Sequence, residues 1–236
     1  MIILIDEIML FLIFLIQLTD CIAALSEKIR MPYEYMNQSH PTLSERMTHY
    51  RTTAMSVAAY DSEKGEWSQV YGKNIHSSTL FQAGSISKVI TALGALKLVE
   101  QGKISLDQDV NPLLKNWKIP EHALGSKQKV TLRRLLSHSA GINVPGFSGY
   151  LSSQRLPSLV EILNGTQPWV NSESIRVVLV PGSQWRYSGG GTTIVQLLIE
   201  SITKTPFQEW MQSHILKPLA MNDSYFSDQP KKETLA

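Results

Sequence analysis

Two predicted strands followed by one long helical segment constrain the fold of this chain most. Residues 53–60 (TAMSVAAY) and 66–71 (EWSQVY) are rich in small, aromatic and β-branched side chains, and a polar turn sequence separates them. This pattern predicts a β-hairpin with a longer loop. Residues 86–101 carry apolar side chains at helical spacing and predict a helix that Gly102 ends. Its predicted buried face consists of Ile86, Val89, Ile90, Leu93 and Leu96.

The remainder of the chain is predicted to consist mainly of short helices. Residues 104–180 contain many Leu-Pro, Pro-Gly and Gly-Tyr breaks, which separate short patterns in a mostly helical insertion. One strand is predicted at residues 175–180 (IRVVLV), because β-branched side chains dominate that run. The predicted short helices cover residues 131–137, 156–163, 192–203 and 206–215.

Composition excludes several classes of protein. Of the 236 residues, 18% are charged and the formal net charge is +2, which is ordinary for a globular chain and gives no electrostatic footprint for nucleic acid. A single cysteine excludes a disulfide framework and a cysteine-based zinc site. The six histidines are scattered without paired ligand spacing, so neither a metal ion nor another cofactor is predicted.

The amino terminus predicts an export signal. Residues 8–18 (IMLFLIFLIQL) form an apolar run that is shorter than the about 20 residues a membrane-spanning helix needs. The run fits the apolar core of a secretory signal, and small residues follow at 21–24, although no basic residue precedes it. We therefore expect residues 1–24 to be a signal or membrane anchor that directs the chain to the periplasm or the extracellular space. Residues 25–236 then form the remaining domain.

The pattern Ser-x-x-Lys occurs three times, and sequence context separates the three. Ser126 lies in a polar loop and Ser201 lies at the end of a predicted helix, so both fit structural roles. Ser85 lies at the start of the long helix, and Lys88 follows one turn later on the same side. A serine hydroxyl becomes a nucleophile when a neighbouring base takes its proton, and a partly desolvated lysine is such a base. The structural alternative makes Ser85 an N-cap and Lys88 a surface lysine.

A second candidate for a catalytic role is the segment of residues 185–191 (WRYSGGG), which follows a Pro-Gly turn and precedes a predicted helix. Its Tyr187 would place a phenol beside Lys88 as a proton relay. The structural alternative is that Tyr187 packs in the core and the glycines form a flexible turn. Because both alternatives fit the segment alone, its function depends on the rest of the chain.

Two alternative functions each require a recognisable sequence pattern. An α/β-hydrolase requires Gly-x-Ser-x-Gly at its nucleophile, and neither Ser139 nor Ser188 lies in that pattern. The glycines at 189–191 open a helix and would suit a phosphate group, but no Lys-Ser or Lys-Thr follows them. Both functions are therefore disfavoured.

Five blocks of sequence, in order along the chain, carry a resemblance to a known family. The blocks are residues 81–88 (FQAGSISK), 98–107 (LVEQGKISLD), 130–141 (VTLRRLLSHSAG), 186–191 (RYSGGG) and 216–221 (LKPLAM). Together they resemble the serine β-lactamase-related hydrolases, which include class C β-lactamases, esterases, D-aminopeptidases and DD-carboxypeptidases. The resemblance implies an α+β fold of the β-lactamase/DD-peptidase type, in which helices flank an antiparallel sheet beside an all-helical region.

The resemblance also implies roles for individual residues. Ser85 would be the acylated nucleophile, and Lys88 and Tyr187 would share proton transfer. Gly189 lies where many relatives carry an asparagine that contacts the substrate, and this departure favours an ester or peptide over a β-lactam. His138 would belong to a structural turn. The expected partner is a small-molecule or peptide substrate, and the oligomeric state stays open.

One part of the family pattern is not found in the chain. The family's Lys-Thr-Gly or His-x-Gly strand would be expected after residue 236, and Lys204-Thr205-Pro206 does not qualify. The expectation is therefore a partial domain whose C-terminal strands are missing. Two functions follow from it. The chain is either a serine hydrolase that forms an acyl-enzyme on Ser85, or a truncated, non-catalytic member that binds a ligand or is inert.

Overall fold

The computed structural model describes residues 42–121, 128–151 and 153–227. The predicted signal or anchor segment, residues 1–24, lies outside these described residues. The described chain forms two compact units, residues 42–86 and residues 87–227. Across the described ranges, no helix is both long enough and apolar enough to cross a membrane. The assignment of residues 25–236 to one partial domain stays a prediction.

The first unit contains one helix and one β-hairpin. Helix α1 (Leu43–His49) begins at a capping box, in which Thr42 accepts the N–H of Glu45 and the Glu45 carboxylate accepts the N–H of Thr42. The sequence analysis did not predict this helix, although the spacing Thr-x-x-Glu is the signal for it. Strands β1 (Ala54–Asp61) and β2 (Gly65–Gly72) pair antiparallel, which confirms the predicted hairpin.

One carboxylate holds the turn of this hairpin. Asp61 Oδ1 accepts the N–H groups of Glu63 and Lys64 at 2.8 and 2.9 Å. These hydrogen bonds hold the pKa of the Asp61 carboxyl below its usual value. Gly65 follows with φ +85°, a left-handed conformation that glycine adopts at little cost. The turn therefore sets the strand register, in which Asp61 lies opposite Gly65.

The described residues after the hairpin form helices joined by irregular loops. Each of the five helices predicted along this part of the chain is confirmed, and Gly102 follows the first of them with φ +66° as predicted. A 3₁₀ turn covers Asn111–Leu113, and a π-helical turn, Gln212–Leu216, continues the last helix. The helices are α2 (Ile86–Glu100), α3 (Leu132–Leu136), α4 (Leu159–Asn164), α5 (Gly189–Thr203) and α6 (Phe207–Met211).

Helix α2 buries a different face from the one predicted. Val89, Leu93 and Leu96 are 63%, 40% and 41% exposed, so the prediction that these side chains are buried is wrong. Helical spacing of apolar residues indicates that a face is apolar, but it does not say that another element covers it. The residues of α2 that are buried are Thr91, Gly94, Ala95 and Leu98.

The small residues of α2 explain why this face is the buried one. A Cβ atom on Gly94 would lie 2.5 Å from Sδ of Met211 and 3.1 Å from Cζ3 of Trp210. Both of these residues belong to α6 and are buried. The glycine therefore lets α6 pack directly against the backbone of α2, which a larger residue would prevent.

The predicted strand at residues 175–180 does not form. A single isolated bridge, between Ile142 and Val177, is found here in the described chain. The side chain of Asn143 makes hydrogen bonds that a paired strand would otherwise make. Its Oδ1 accepts the N–H of Arg176 at 2.7 Å, and its Nδ2 donates to a nearby carbonyl at 2.8 Å. The backbone here is thus satisfied partly by an asparagine side chain and partly by backbone bonds to residues 141–143, without a continuous ladder.

The core of the second unit fixes where α5 begins. Ile194, Leu198 and Ile199 of α5 are completely or almost completely buried. The same apolar cluster includes side chains of α2, α3 and α6. Because α5 is held along most of its length, its first turn and the residues just before it have little freedom to move.

Candidate active site

Ser85 and Lys88 lie at the amino-terminal end of α2. Ser85 immediately precedes the helix and is exposed, and Lys88 is the third residue of the helix and is half-buried. Gly84 has φ +51°, so the chain enters the helix through a left-handed residue that suits glycine. The N–H of Ile86 donates to the carbonyl of Ala83 at 3.1 Å. The local turn thus presents Ser85 at the helix start.

Lys88 and Tyr187 are brought together although 99 positions separate them in the sequence. The Lys88 Nζ atom lies over the Tyr187 ring, 5.0 Å from the ring centroid. An ammonium group at this distance is attracted by the electrons of the ring. Tyr187 is half-buried in the segment that leads into α5. The structure therefore places Tyr187 beside Lys88, whereas the role of Tyr187 as a proton relay stays a prediction.

Ser188 anchors the segment that carries Tyr187. It is the N-cap of α5, and its Oγ accepts the N–H of Gly191 at 2.9 Å. The same hydroxyl donates to the carbonyl of Asn143 at 2.6 Å. Ser188 is only 3% exposed, so both bonds lie out of water. Ser188, which follows Tyr187, is therefore held by hydrogen bonds to two different parts of the chain.

The glycines at the start of α5 are packing residues. The N–H groups of Gly189 and Gly190 donate to the carbonyls of Pro145 and Val144, each at 3.0 Å. Because these donors and the N–H of Gly191 already have partners within the protein, the phosphate-binding alternative is contradicted. The glycines are also buried, so they form no flexible turn.

Gly189 lies in a place with little room for a side chain. A Cβ atom there would be 3.0 Å from the Pro145 carbonyl oxygen and 3.4 Å from Cε2 of Phe147. An asparagine at this position would require these neighbours to move. The part of the site next to Tyr187 is therefore bounded by backbone and by an aromatic ring.

His138 lies just after the C-terminal end of α3 and contacts Tyr187. The two ring centroids are 4.5 Å apart. The carbonyl of His138 accepts the N–H of Arg186 at 2.7 Å, and its Nδ1 accepts the N–H of Ser188 at 3.2 Å. Burial, and to a lesser degree the charge of Lys88, lowers the pKa of the His138 imidazole below its usual value. Both effects favour the neutral form of the imidazole.

The sequence analysis placed His138 only in a structural turn. The turn exists, since His138 has φ +54°, a left-handed conformation. Its contact with Tyr187 was missed, because nothing in the sequence relates two segments almost 50 residues apart. Trp185 was missed as well. Its ring lies 6.4 Å from the ring of Tyr187 and 6.3 Å from that of His138, and 69% of the residue is exposed.

The Ser-x-x-Lys pattern at Ser201 falls outside this cluster. Ser201 Oγ accepts the N–H of Lys115 at 2.9 Å, and Lys204 ends α5 in a left-handed conformation with φ 56°. Both residues therefore have structural roles, as predicted. Ser126 lies outside the described residues.

Comparison with known proteins identifies the family. The family model described as Beta-lactamase matches residues 41–235. The chain belongs to the Beta-lactamase family. Solved structures of the β-lactamase/DD-peptidase fold share its architecture, and the helices and two-stranded antiparallel sheet of the described residues correspond to part of that fold.

Several known proteins resemble this chain in sequence or structure. The esterase EstB of Burkholderia gladioli is 29% identical over 174 residues, which cover 68% of this chain and 42% of that esterase. The octameric penicillin-binding protein homologue from Pyrococcus abyssi has a TM-score of 0.63 at 24% identity, over 82% of this chain and 45% of the other. The D-amino acid amidase from Ochrobactrum anthropi SV3 has a TM-score of 0.59 at 22% identity, over 80% and 52%.

Membership in the Beta-lactamase family supports a hydrolase at the family level. The chain spans less than half the length of the curated esterase it matches. The structural similarities, at less than 25% identity, show the fold alone. The reaction and its substrate are therefore matters for proposal.

Proposed function

We propose that this chain is a serine acyl-hydrolase that forms an acyl-enzyme on Ser85. The observation that carries the proposal is the position of the Lys88 ammonium over the Tyr187 ring, in the first turn of the helix that Ser85 precedes. A nucleophile needs a base within reach, and Lys88 and Tyr187 are two groups able to exchange a proton. Family membership agrees with acyl transfer as the reaction class.

The proposed reaction has two balanced steps. In the first, Ser85 Oγ forms a bond to the acyl carbon while its proton passes to Lys88 as the free amine or to Tyr187 as the phenolate, since only these forms accept a proton. The bond from that carbon to the leaving oxygen or nitrogen then breaks, and the leaving group takes up the proton. In the second step, water attacks the acyl-Ser85 ester and gives up one proton, a carboxylic acid leaves, and the Ser85 hydroxyl is restored.

The charge that develops on the acyl oxygen requires a donor. The N–H of Ser85 lies at the start of a helix of 15 residues, where the helix dipole favours negative charge. We therefore assign this N–H as one oxyanion donor in the proposed mechanism. Once it has taken up the serine proton, Lys88, one turn along the same helix, adds positive charge to the same end.

We propose an ester or a small peptide as the substrate, in preference to a β-lactam. Gly189 offers no amide side chain at the position where many related hydrolases carry asparagine, and its surroundings leave little room for one. Phe147 beside it makes this part of the site apolar. The similarity to the esterase EstB of Burkholderia gladioli favours ester substrates for the first assays.

Covalent labelling tests the proposal directly. A fluorophosphonate probe forms an oxygen–phosphorus bond to an activated serine with loss of fluoride, and intact mass spectrometry counts the adducts. We expect one adduct on the 236-residue chain and none on Ser85→Ala. Lys88→Arg should also abolish labelling, because arginine keeps the charge over Tyr187 but does not accept a proton. Equal labelling of Ser85→Ala and of the unaltered chain would refute the proposal.

Ser201→Ala is the matched control for this experiment. Ser201 belongs to another Ser-x-x-Lys pattern, and its hydroxyl serves a hydrogen bond to Lys115. We expect this variant to keep the adduct. A thermal melt of each variant separates loss of the nucleophile from loss of the fold.

A non-catalytic, ligand-binding or inert role is the second candidate function. It is favoured by the exposure of Val89, Leu93 and Leu96 on the same helix that carries Lys88, since an exposed apolar stripe is typical of an interaction or ligand-binding surface. This candidate requires that the folded chain gives no adduct with fluorophosphonate or fluorescent penicillin at any concentration of probe. One adduct on Ser85 would exclude it.

We also propose export of the chain to the periplasm or the extracellular space. The proposal rests on the apolar run at residues 8–18 and the small residues at 21–24. Expression with and without residues 1–24, followed by cell fractionation and amino-terminal sequencing, tests it. A chain that stays in the cytoplasm with its full amino terminus would contradict the proposal.

A further inference from the structure

His138 makes two hydrogen bonds that bracket Tyr187. Its carbonyl accepts the N–H of Arg186, the residue before the tyrosine, at 2.7 Å. Its Nδ1 accepts the N–H of Ser188, the residue after the tyrosine, at 3.2 Å. The imidazole itself lies against the phenol ring, with 4.5 Å between the ring centroids. One residue thus holds the backbone on both sides of Tyr187 and one face of its ring.

The bond from Ser188 requires a particular protonation state of His138. A backbone N–H is a donor, so Nδ1 must carry a lone pair, and the proton of the neutral imidazole must lie on Nε2. A protonated imidazole has N–H groups at both nitrogens and accepts no hydrogen bond. Protonation of His138 therefore breaks one of the two bonds that bracket Tyr187.

We propose that His138 is a positioning residue that holds Tyr187 against Lys88, and that protonation of His138 releases this hold and slows acylation at acid pH. The proposal rests on the proposed function of Ser85, Lys88 and Tyr187. His138 itself acts through the tyrosine and takes no part in the bond changes.

Two effects act against the protonation of His138. Lys88 projects from α2 with a positive charge that repels an imidazolium, and burial of the ring disfavours any charge. The segment before α5 contributes the rings of Tyr187 and Trp185. The pKa of His138 is accordingly lowered below its usual value. The hold on Tyr187 is thus present above this lowered pKa and is lost as the pH falls through it.

Two substitutions at His138 separate the effect of its hydrogen bond to Ser188 from the effect of its protonation. In His138→Asn, the side-chain oxygen takes the place of Nδ1 as an acceptor, and it does not titrate. Asparagine also tolerates the left-handed backbone, φ +54°, at this position. In His138→Ala the acceptor is removed. His138→Asn should therefore restore most of the labelling rate that His138→Ala loses.

The experiment measures the rate of fluorophosphonate labelling between pH 4.5 and 8.5, on chains whose fold is checked by circular dichroism at each pH. For the unaltered chain we expect the rate to fall at acid pH with a midpoint below about 6.5, the usual pKa of histidine. His138→Ala should be slower by about tenfold at pH 8, in line with loss of one hydrogen bond. His138→Asn should lack the acid limb.

A second readout is independent of catalysis. Imidazole ¹⁵N spectra report the tautomer and midpoint of His138, assigned through its disappearance in His138→Asn. We expect a neutral form with the proton on Nε2, and a Ser188 amide signal that shifts with the same midpoint. If the unaltered chain gives no adduct at any pH, the proposed function fails, and these spectra alone decide the His138 contact.

Three results would overturn the role of His138. The first is an acid limb that persists unchanged in His138→Asn, because another group would then titrate. The second is a His138→Ala variant that labels as fast as the unaltered chain. The third is a neutral His138 with its proton on Nδ1, since that tautomer accepts no bond from Ser188.

Discussion

The buried cap of α5 makes a quantitative prediction about the stability of this chain. In Ser188→Ala, the helix loses its N-cap, because the N–H of Gly191 no longer has the hydroxyl as a partner. Loss of such a cap costs about 0.5–2 kcal/mol of the free energy of unfolding. The carbonyl of Asn143 also loses its 2.6 Å bond, and Asn143 is only 2% exposed, so water cannot replace the hydroxyl freely. A buried acceptor without a partner costs roughly 1–3 kcal/mol.

Adding these two costs gives an expected loss of about 1.5–5 kcal/mol for Ser188→Ala. Ser158→Ala is the matched control. Ser158 is the N-cap of α4 and its Oγ accepts the N–H of Glu161 at 3.3 Å, but this serine is exposed. Its loss should cost only about 0.5–1 kcal/mol, because water satisfies the freed groups.

Urea unfolding monitored by circular dichroism measures both variants under the same conditions. We expect the midpoint to fall clearly more for Ser188→Ala than for Ser158→Ala, with unchanged slopes. Equal losses for the two serines would refute the reasoning, because burial would then add nothing to the value of the cap. A changed slope would instead indicate an altered native or denatured state.

Two further substitutions, the first with a matched control, test the packing around Gly94 and the titration of Glu200. Gly94→Ala should lower the free energy of unfolding by about 1–3 kcal/mol, because its Cβ would clash with Met211, whereas Gly146→Ala has open space around it and should be close to neutral in the same urea titration. Burial raises the pKa of the Glu200 carboxyl, which accepts the N–H of Phe207 at 3.1 Å. The folded state therefore favours the protonated acid and loses stability as the pH rises through about 4.5 towards the raised pKa. Glu200→Gln should be more stable than the unaltered chain at pH 7 in thermal melts, and this gain should disappear below pH 4; a gain that is the same at both pH values would contradict the assignment.

Local patterns predicted most of the elements correctly, but not their environment. The hairpin and all five helices after it follow from alternation, helical spacing and capping residues, which act between near neighbours in the chain. Residues 175–180 have the composition of a strand, but a strand also needs a partner. Here residues 141–143 supply a single bridge, and the side chain of Asn143 accepts the N–H of Arg176. The sequence of residues 175–180 does not say which other segment would pair with them.

The face that α2 buries shows the same limit in a helix. The spacing of Val89, Leu93 and Leu96 is a good signal for an apolar face, and yet these residues are exposed. The helix buries the face with the small residues, because Gly94 allows Met211 to approach its backbone closely. Close approach depends on the shape of the other helix, and this shape cannot be read from the sequence of α2.

The sequence by itself determined the candidate chemistry of this protein. The order of the five blocks singled out Ser85 among three Ser-x-x-Lys patterns and named Lys88 and Tyr187 beside it. Only the tertiary structure decided which side chains meet. The 5.0 Å contact between Lys88 and the Tyr187 ring, and the histidine that brackets that tyrosine, join segments far apart in the chain. Their positions depend on how α2 and α5 pack into one apolar core, because packing links residues that local patterns treat as independent.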